Sequence, residues 1–346
     1  MSKKKLKWAL LGTARINDRI IPALKKSRYC DLYAVASRSN NNLKIYATQR
    51  NIPVFYNSYQ ALLKDENIDV IYIALPNHLH SKWIIKAANV KKNVLCEKPI
   101  TTSIKEINKI KKVAKKNKVA VQEATMMRFH PQTTFIQEMV RKKKIGSIKY
   151  ISAVFSISMH NFKDIRFKYK KGGGSLWDLG SYCISFARSV LQKEPIKVFA
   201  KKIHIAGAGN VDYSLAGYLI FEKQIEMHFF SSFRSFPYEE VTMVGDKGVI
   251  KLNVPYCNLN QQGSVKITTE KINEVGKSAF GDEIPIKTIN KKFDQNAYNE
   301  EVDSFAKTIL YRTPQVISLD DSKKNIRALE ALLKSAKLGK LISIRK

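Results

Sequence analysis

The sequence is short of acid, of cysteine and of long apolar runs, and each shortage removes a class of protein. Its 346 residues carry 29 Asp plus Glu against 61 Lys plus Arg, a formal net charge of +32. The four cysteines, Cys30, Cys96, Cys183 and Cys257, lie far apart with no CxxC pair. Disulfide frameworks and zinc ribbons use closely spaced cysteines, so these read as reduced thiols and no metal site is expected. No apolar run reaches the roughly 18 residues of a membrane helix. The stretch Trp8-Ala9-Leu10-Leu11 behind the N-terminal lysines is shorter than the about 7–15 apolar residues of a secretory signal. The expectation is a cytoplasmic protein with no membrane partner. No internal repeat or low-complexity linker interrupts the chain.

What is present supports packed domains. Hydrophobic residues make up 44% and aromatic residues 10%, enough for real cores. The length suggests two domains of about 100–200 residues each. The positive charge invites a nucleic-acid reading. Against it, Lys outnumbers Arg 48 to 13, and the basic runs (Lys91-Lys92, Lys109 to Lys118, Arg141 to Lys144) are scattered. Phosphate and base recognition favour the planar Arg fork, so a solvated lysine coat is preferred and no specific nucleic-acid partner is expected.

The first third alternates strand and helix. Strands read at Lys7 to Gly12, Leu32 to Ser37, Val54 to Tyr56, Val70 to Leu75, Asn93 to Cys96 and Ala120 to Glu123. Between them fall helical stretches such as Ile16 to Lys26, His80 to Val90 and the basic amphipathic Ile104 to Asn117. Near-continuously apolar strands alternating with helices predict a doubly wound parallel sheet with ligands at the carboxyl ends of its strands. After about Tyr150 the pattern turns to strands, with one helix from Ser175 to Leu191, and predicts an α+β half with a large open antiparallel sheet. Two helices, Phe293 to Leu310 and Ser318 to Leu338, finish the chain. The expected division is 1–124 and 125–346, with the last helices able to pack back on the first domain.

Gly12-Thr13-Ala14-Arg15-Ile16 sits between the first strand and the first helix, where a dinucleotide pyrophosphate meets free backbone N–H groups and the helix dipole. Only the first glycine of the usual fingerprint is kept; Ala14 and Asn17 stand at the other two positions. The second strand ends Ala36-Ser37-Arg38, without the acid that binds an NAD ribose. Arg38 can pair with a 2′-phosphate and Ser37 can donate to it, so NADP is preferred over NAD. Leu75-Pro76-Asn77 with His80, and Glu97-Lys98, follow later strands and face the same crevice. His78 and His80 lack the acid or cysteine that would make them metal ligands; capping or cofactor lining suits His80 better.

The combination of Gly12 to Ile16, Glu97-Lys98-Pro99, Glu123 to Gln132 and Gly172 to Tyr182 resembles the Gfo/Idh/MocA oxidoreductases. The likeness is to the branch of glucose–fructose oxidoreductases, D-xylose dehydrogenases and dimeric dihydrodiol dehydrogenases. It runs from about Lys7 to Ile344. The resemblance implies a Rossmann domain followed by an open antiparallel sheet that serves substrate and a dimer interface. It implies a catalytic or cofactor-orienting Lys98, a catalytic Asp178, Tyr182 as acid/base, an NADP-selecting Arg38, and Arg128 and Trp177 in the cofactor or substrate cleft. Asn17 departs from the small residue usual there and puts tight helix–strand packing in doubt.

Asp178 and Tyr182 are four apart and share a face if the helix is regular. Gly172-Gly173-Gly174 predicts a mobile lead-in compatible with close approach to a ligand. A free Tyr has a pKa of about 10, and a neighbouring ammonium such as Lys98 favours the tyrosinate. His160, beyond the strand Ile151 to Ile157, is kept as a substrate-side candidate; Asn161, Arg166, His204 and Asp212 read as satisfied loop or strand residues. The expected activity is an NADP-dependent hydride transfer on a sugar, polyol or dihydrodiol-type alcohol or carbonyl. The competing reading is a non-catalytic dinucleotide-binding regulator.

Overall fold

The computed structural model describes residues 5–38, 42–204, 211–257, 263–277 and 283–344; the side chains of 270–277 and 283–286 are outside that description. The chain forms two compact units. One comprises 1–129, 170–172 and 297–326, and the other 130–169, 173–296 and 327–346.

The first unit opens with β1 (Leu6–Leu11), α1 (Asn17–Lys26), β2 (Cys30–Ala36), α2 (Leu43–Gln49), β3 (Val54–Tyr56) and α3 (Tyr59–Lys64). It continues with β4 (Val70–Ile73), α4 (Asn77–Asn89), β5 (Asn93–Glu97), α5 (Ile104–Asn117) and β6 (Val121–Ala124). All six strands are parallel, in the order β3-β2-β1-β4-β5-β6. The direction of winding reverses between β1 and β4, which opens a crevice at their carboxyl ends. β4 is buried at every residue, as a strand covered on both faces must be. α5 buries Ile107, Ile110 and Ala114 and turns its lysines outward.

The second unit begins with α6 (Pro131–Arg141) and β7 (Ile148–Ser158), then a π-helical turn over Leu176–Gly180 that runs into α7 (Ser181–Leu191). There follow β8 (Pro195–Ile203), β9 (Ser214–Phe221), β10 (Ile225–Ser232), β11 (Arg234–Gly245), β12 (Gly248–Leu252), β13 (Gly263–Lys277) and β14 (Glu283–Phe293). With the terminal β15 (Ile342–Ser343) they make a nine-stranded sheet in the order β14-β13-β12-β11-β7-β10-β9-β8-β15. Every pairing is antiparallel except β7 with β10. The expected α+β half is therefore present, but its sheet is mixed. All eleven residues of α7 are buried. A helix buried on every side is a core helix rather than a surface one, and Ser181, Ser185, Arg188 and Ser189 are buried along with its apolar residues.

Three local expectations change. The helix expected from Ser175 starts as the π turn. Phe293 ends β14 instead of starting a helix: it pairs with Gly263 and its ring packs on Phe135 and His130. α6 went unforeseen, although Pro131 at its first turn marks a helix start and the His130 imidazole caps it by accepting from the Gln132 N–H.

The last helices are α8 (Ala297–Tyr311) and α9 (Leu319–Leu338). α8 and the first residues of α9 belong to the first unit. Phe305 of α8 meets Trp8 of β1 edge to face at 5.9 Å. One turn earlier, Glu301 is fully buried, and among the described residues neither carboxylate oxygen meets a hydrogen-bond partner. Burial, and then the neighbouring Glu97 and Glu123, push its pKa well above the ordinary carboxylate range. No described cation offsets that burial, so Glu301 is held neutral. Among the described residues, no helix is long and apolar enough to cross a membrane, and no cluster of three His, Cys, Asp or Glu is placed to hold a metal.

An unfolded glutamate releases its proton above about pH 4.3, whereas folded Glu301 keeps it. Stability contributed by the neutral form is thus complete below that value and falls as pH climbs towards the raised folded-state pKa. Glu301→Gln removes the loss. Its melting temperature should exceed wild type by about 2–4 °C at pH 8, roughly 1 kcal/mol for a domain of this size. The gap should close at pH 4.5; calorimetry finding the same difference at both pH values contradicts a neutral Glu301.

Candidate active-site residues in the two units

In the first unit, Gly12 follows β1 at φ +106°, a conformation that L side chains rarely adopt. A Cβ there would stand 3.0 Å from Leu75 Cδ2 and 3.3 Å from the Ala74 carbonyl, so backbone conformation and close approach both favour glycine at this position. Ile16 precedes α1 without a side-chain oxygen to cap it. Thr13, Ala14 and Ile16 are half-buried and Arg15 is exposed. Asn17 takes up the space of the missing third glycine constructively. It is fully buried, and its amide donates to the Gly12 carbonyl at 2.9 Å and the Tyr46 hydroxyl at 3.0 Å. The doubt over packing at Asn17 is resolved: a hydrogen bond fastens helix to turn where a glycine would have used close contact.

At the carboxyl end of β2, Ser37 is buried and its N–H donates to the Tyr56 carbonyl at 3.2 Å. Arg38 is exposed, with its guanidinium 5.2 Å from the centre of the Tyr59 ring. Among the described residues no acid stands at this strand end. Beyond β4, Leu75, Pro76 and Asn77 are half-buried, and Asn77 donates from Nδ2 to the Gly172 carbonyl at 2.8 Å.

The loop bearing Lys98 is held by buried polar groups. Tyr72 donates its hydroxyl to the Glu97 carboxylate. His80 is fully buried, Nδ1 at 2.8 Å from the Pro99 carbonyl and Nε2 at 2.6 Å from that of Leu75. It thereby links the loops after β4 and β5. Burial lowers its pKa, opposed by the two carbonyls. The Ile100 N–H donates to Glu123 Oε1 at 3.0 Å, and Ser322 of α9 donates to Oε2 at 2.6 Å. Burial raises the Glu123 pKa against these two donors. Lys98 itself is half-buried. Arg128, expected in the cleft, is 7% exposed and pairs with Asp321 at 3.1 Å, at the start of α9 where a carboxylate also suits the helix dipole.

In the second unit, Tyr182 lies in the first turn of α7. Its buried ring packs at 5.5 Å from Phe155 and 6.0 Å from Tyr256. Asp178 belongs to the π turn before it, so the shared face inferred from spacing on one regular helix no longer follows from spacing alone. Trp177 is buried. Asp178 receives the Arg166 Nε at 2.7 Å. Asp212 fixes the start of the π turn, accepting at Oδ2 from Ser175 Oγ at 2.7 Å and the Leu176 N–H at 2.6 Å. His160 is exposed, with Nε2 at 3.0 Å from Ser158 Oγ.

The expected mobile glycine lead-in is instead fixed to the protein. Gly174 has φ +121°, and a Cβ there would lie 2.2 Å from Asp212 Oδ1; at Gly173 it would lie 2.3 Å from the Arg166 carbonyl. The close approach is to Asp212 and Arg166, both of which sequence reasoning set aside. Arg166 had a signal, an Asp two residues before it. Asp212 had none, because its partners are 36 and 37 residues away.

Residues 6–125 match the family described as "Oxidoreductase family, NAD-binding Rossmann fold", and residues 134–251 match the "GFO/IDH/MocA C-terminal domain". The chain is 29% identical over 340 residues to D-xylose 1-dehydrogenase (NADP(+)) 2 of Haloferax volcanii, covering 97% of this chain and 99% of that one. It is 30% identical over 250 residues to trans-1,2-dihydrobenzene-1,2-diol dehydrogenase of Xenopus tropicalis, covering 71% and 74%. The crystal structure of aldose-aldose oxidoreductase from Caulobacter crescentus shares the fold, with a TM-score of 0.87 at 22% identity over 98% of this chain and 100% of that one. Matched in order across both halves, the chain is a member of the Gfo/Idh/MocA family of oxidoreductases.

Proposed function

We propose that this oxidoreductase is an NADP-dependent dehydrogenase or reductase of a sugar, polyol or dihydrodiol-type alcohol or carbonyl, with Tyr182 as its acid/base. The observation that carries the reading is the pairing of the Gly12 turn with Ser37 and exposed Arg38 at the next strand's carboxyl end. The turn brings the start of α1 to the place where a pyrophosphate would bind, and Arg38 would meet a 2′-phosphate where an NAD enzyme keeps a carboxylate. The names of the Haloferax and Xenopus relatives support the substrate class.

Gly12 to Ile16, Ser37, Arg38, Leu75 to Asn77, Glu97 and Lys98 would hold the cofactor, with His80 acting through the loops it joins. Bound NADP supplies the hydride acceptor in oxidation and the donor in reduction. Lys98 donates to the substrate oxygen, stabilising the charge that grows on it as the proton leaves. Tyr182 takes the hydroxyl proton during oxidation and returns it during reduction. Asp178 orients the substrate. Arg128 and Trp177 support the site from buried positions.

Tyr182→Phe should lower kcat by about 10²–10⁴-fold, the usual contribution of a positioned acid or base, while NADP still raises the melting temperature. Aldoses, inositols and diols followed at 340 nm provide the assay; near wild-type turnover by Tyr182→Phe rules out the acid/base role. Absence of turnover on the whole panel, together with no NADP-induced stabilisation, rules out the enzyme reading.

Arg38→Ala should weaken NADP binding by about 10–100-fold, the worth of a charge-assisted hydrogen bond, and leave NAD binding within about twofold. Calorimetric titration with each dinucleotide measures both. Equal losses for the two would mean that Arg38 does not read the 2′-phosphate.

A further inference from the structure

Asp178 sits where a π turn meets α7, a place where backbone hydrogen bonding is irregular and a short side chain needs outside support to keep one orientation. Arg166 gives such support. Its Nε lies 2.7 Å from Asp178 Oδ2. Attraction to Asp178 raises the Arg166 pKa, with burial opposing it. The Arg166 side chain is 43% exposed and that of Asp178 20%. An ordinary ion pair at that exposure contributes little, because two free side chains must be ordered to form it.

This pair differs because Arg166 is ordered from several directions by other contacts. Its N–H donates to Asp164 Oδ1 at 2.9 Å, and its Nη1 reaches the same oxygen at 3.3 Å. Its carbonyl accepts from the Gly174 N–H at 2.9 Å. The Lys168 carbonyl accepts from the Gly173 N–H at 3.2 Å. The segment around Arg166 is therefore laced to the residues that lead into the π turn, and glycine at 173 is what lets the Arg166 carbonyl come so near. With backbone and guanidinium already fixed, the bond to Asp178 costs little further entropy.

We propose that Arg166 is the positioning residue for Asp178, holding its carboxylate in the one orientation that the reaction uses. This rests on the catalytic role proposed for Asp178. Arg166 acts through Asp178, so its loss should alter turnover and spare cofactor affinity.

The experiment compares kcat, KM and NADP affinity for Arg166→Met, Arg166→Lys, Asp178→Asn and the double variant Arg166→Met/Asp178→Asn. Melting temperatures of all four are measured alongside, on whichever alcohol of the panel the wild type oxidises. Arg166→Met should lower kcat by about 10²-fold, the scale of a small misplacement of a reacting group, with NADP affinity within about twofold of wild type. Arg166→Lys should recover part of that loss, since an ammonium makes one contact of the fork. In the Asp178→Asn background, Arg166→Met should add almost nothing to kcat, and its effect on melting should shrink. Where Arg166→Met is too unstable to assay, Arg166→Lys carries the same cycle.

A kcat of Arg166→Met within about twofold of wild type, with Asp178→Asn impaired, overturns the inference and leaves the role of Asp178 standing. Losses that multiply in the double variant also overturn it, because Arg166 would then act by another route. Full activity of Asp178→Asn overturns the catalytic reading of Asp178, and the inference with it.

Discussion

Everything proposed for Lys98 depends on a backbone held by buried polar groups rather than by apolar packing. Glu97, Pro99 and Ile100 each meet a different partner: the Tyr72 hydroxyl, the His80 ring and the Glu123 carboxylate. Buried hydrogen bonds are directional, and leaving one member unpaired costs about 1–3 kcal/mol, so such an arrangement favours one loop conformation strongly. Its partners come from β4, α4 and β6, with Ser322 of α9 closing on the far oxygen of Glu123. The price is a concentration of carboxylates in a low-dielectric place. Burial and the neighbouring Glu97 and Glu123 raise the Glu301 pKa, which favours its neutral form in that place.

The second unit solves the same problem with Asp212 and Arg166. Asp212 caps the π turn from β9's approach, and Arg166 fastens the Asp178 side chain from the segment after β7. Both need a main chain with no Cβ in the way, at Gly174 and Gly173 respectively. A run of glycines usually suggests flexibility. Here its function is to let backbone and side chain approach to hydrogen-bonding distance, and the bonds formed remove the freedom that glycine allows.

This explains what could be read from the sequence. The doubly wound half was legible because period and alternation are local: β1, β4 and β5 announce themselves by apolar runs, and Gly12 by its place between strand and helix. The sequence also marks Arg38 as standing where an acid is normal, and the structure puts it at the carboxyl end of β2. β14 (EIPIKTINKKF) was hidden by its three lysines, and its last residue, Phe293, read as the start of a helix. The supports of the candidate site were the least legible. Tyr72 with Glu97, Glu123 with Ser322, and Ser175 with Asp212 are separated by 25, 199 and 37 residues. No local pattern marks such pairs, because the tertiary fold alone makes them neighbours. Asn17 shows the same limit in reverse: an apparent departure from the glycine fingerprint is a substitution of one fastening for another.

Charge follows the same division. Acid is scarce, 29 residues against 61 basic ones, so where the acids fall is informative. Several meet arginine at structural positions: Asp321 with Arg128, Glu194 with the buried Arg188, and Asp164 and Asp178 with Arg166. The fork of arginine suits a carboxylate held in one geometry, whereas lysine is a hydrated point charge on a flexible stem. The lysine-bearing pairs among the described residues, Lys142 with Glu138, Lys149 with Asp246 and Lys111 with Asp320, are by contrast largely exposed and worth little. The large lysine surplus therefore bears on solubility and on the field around the molecule rather than on the fold. Such a field extends about 8 Å at physiological salt before it is screened, far enough to hasten capture of a polyphosphate but not to select one. Selection needs a cation in a defined place, the part proposed above for Arg38, whose guanidinium lies over the Tyr59 ring.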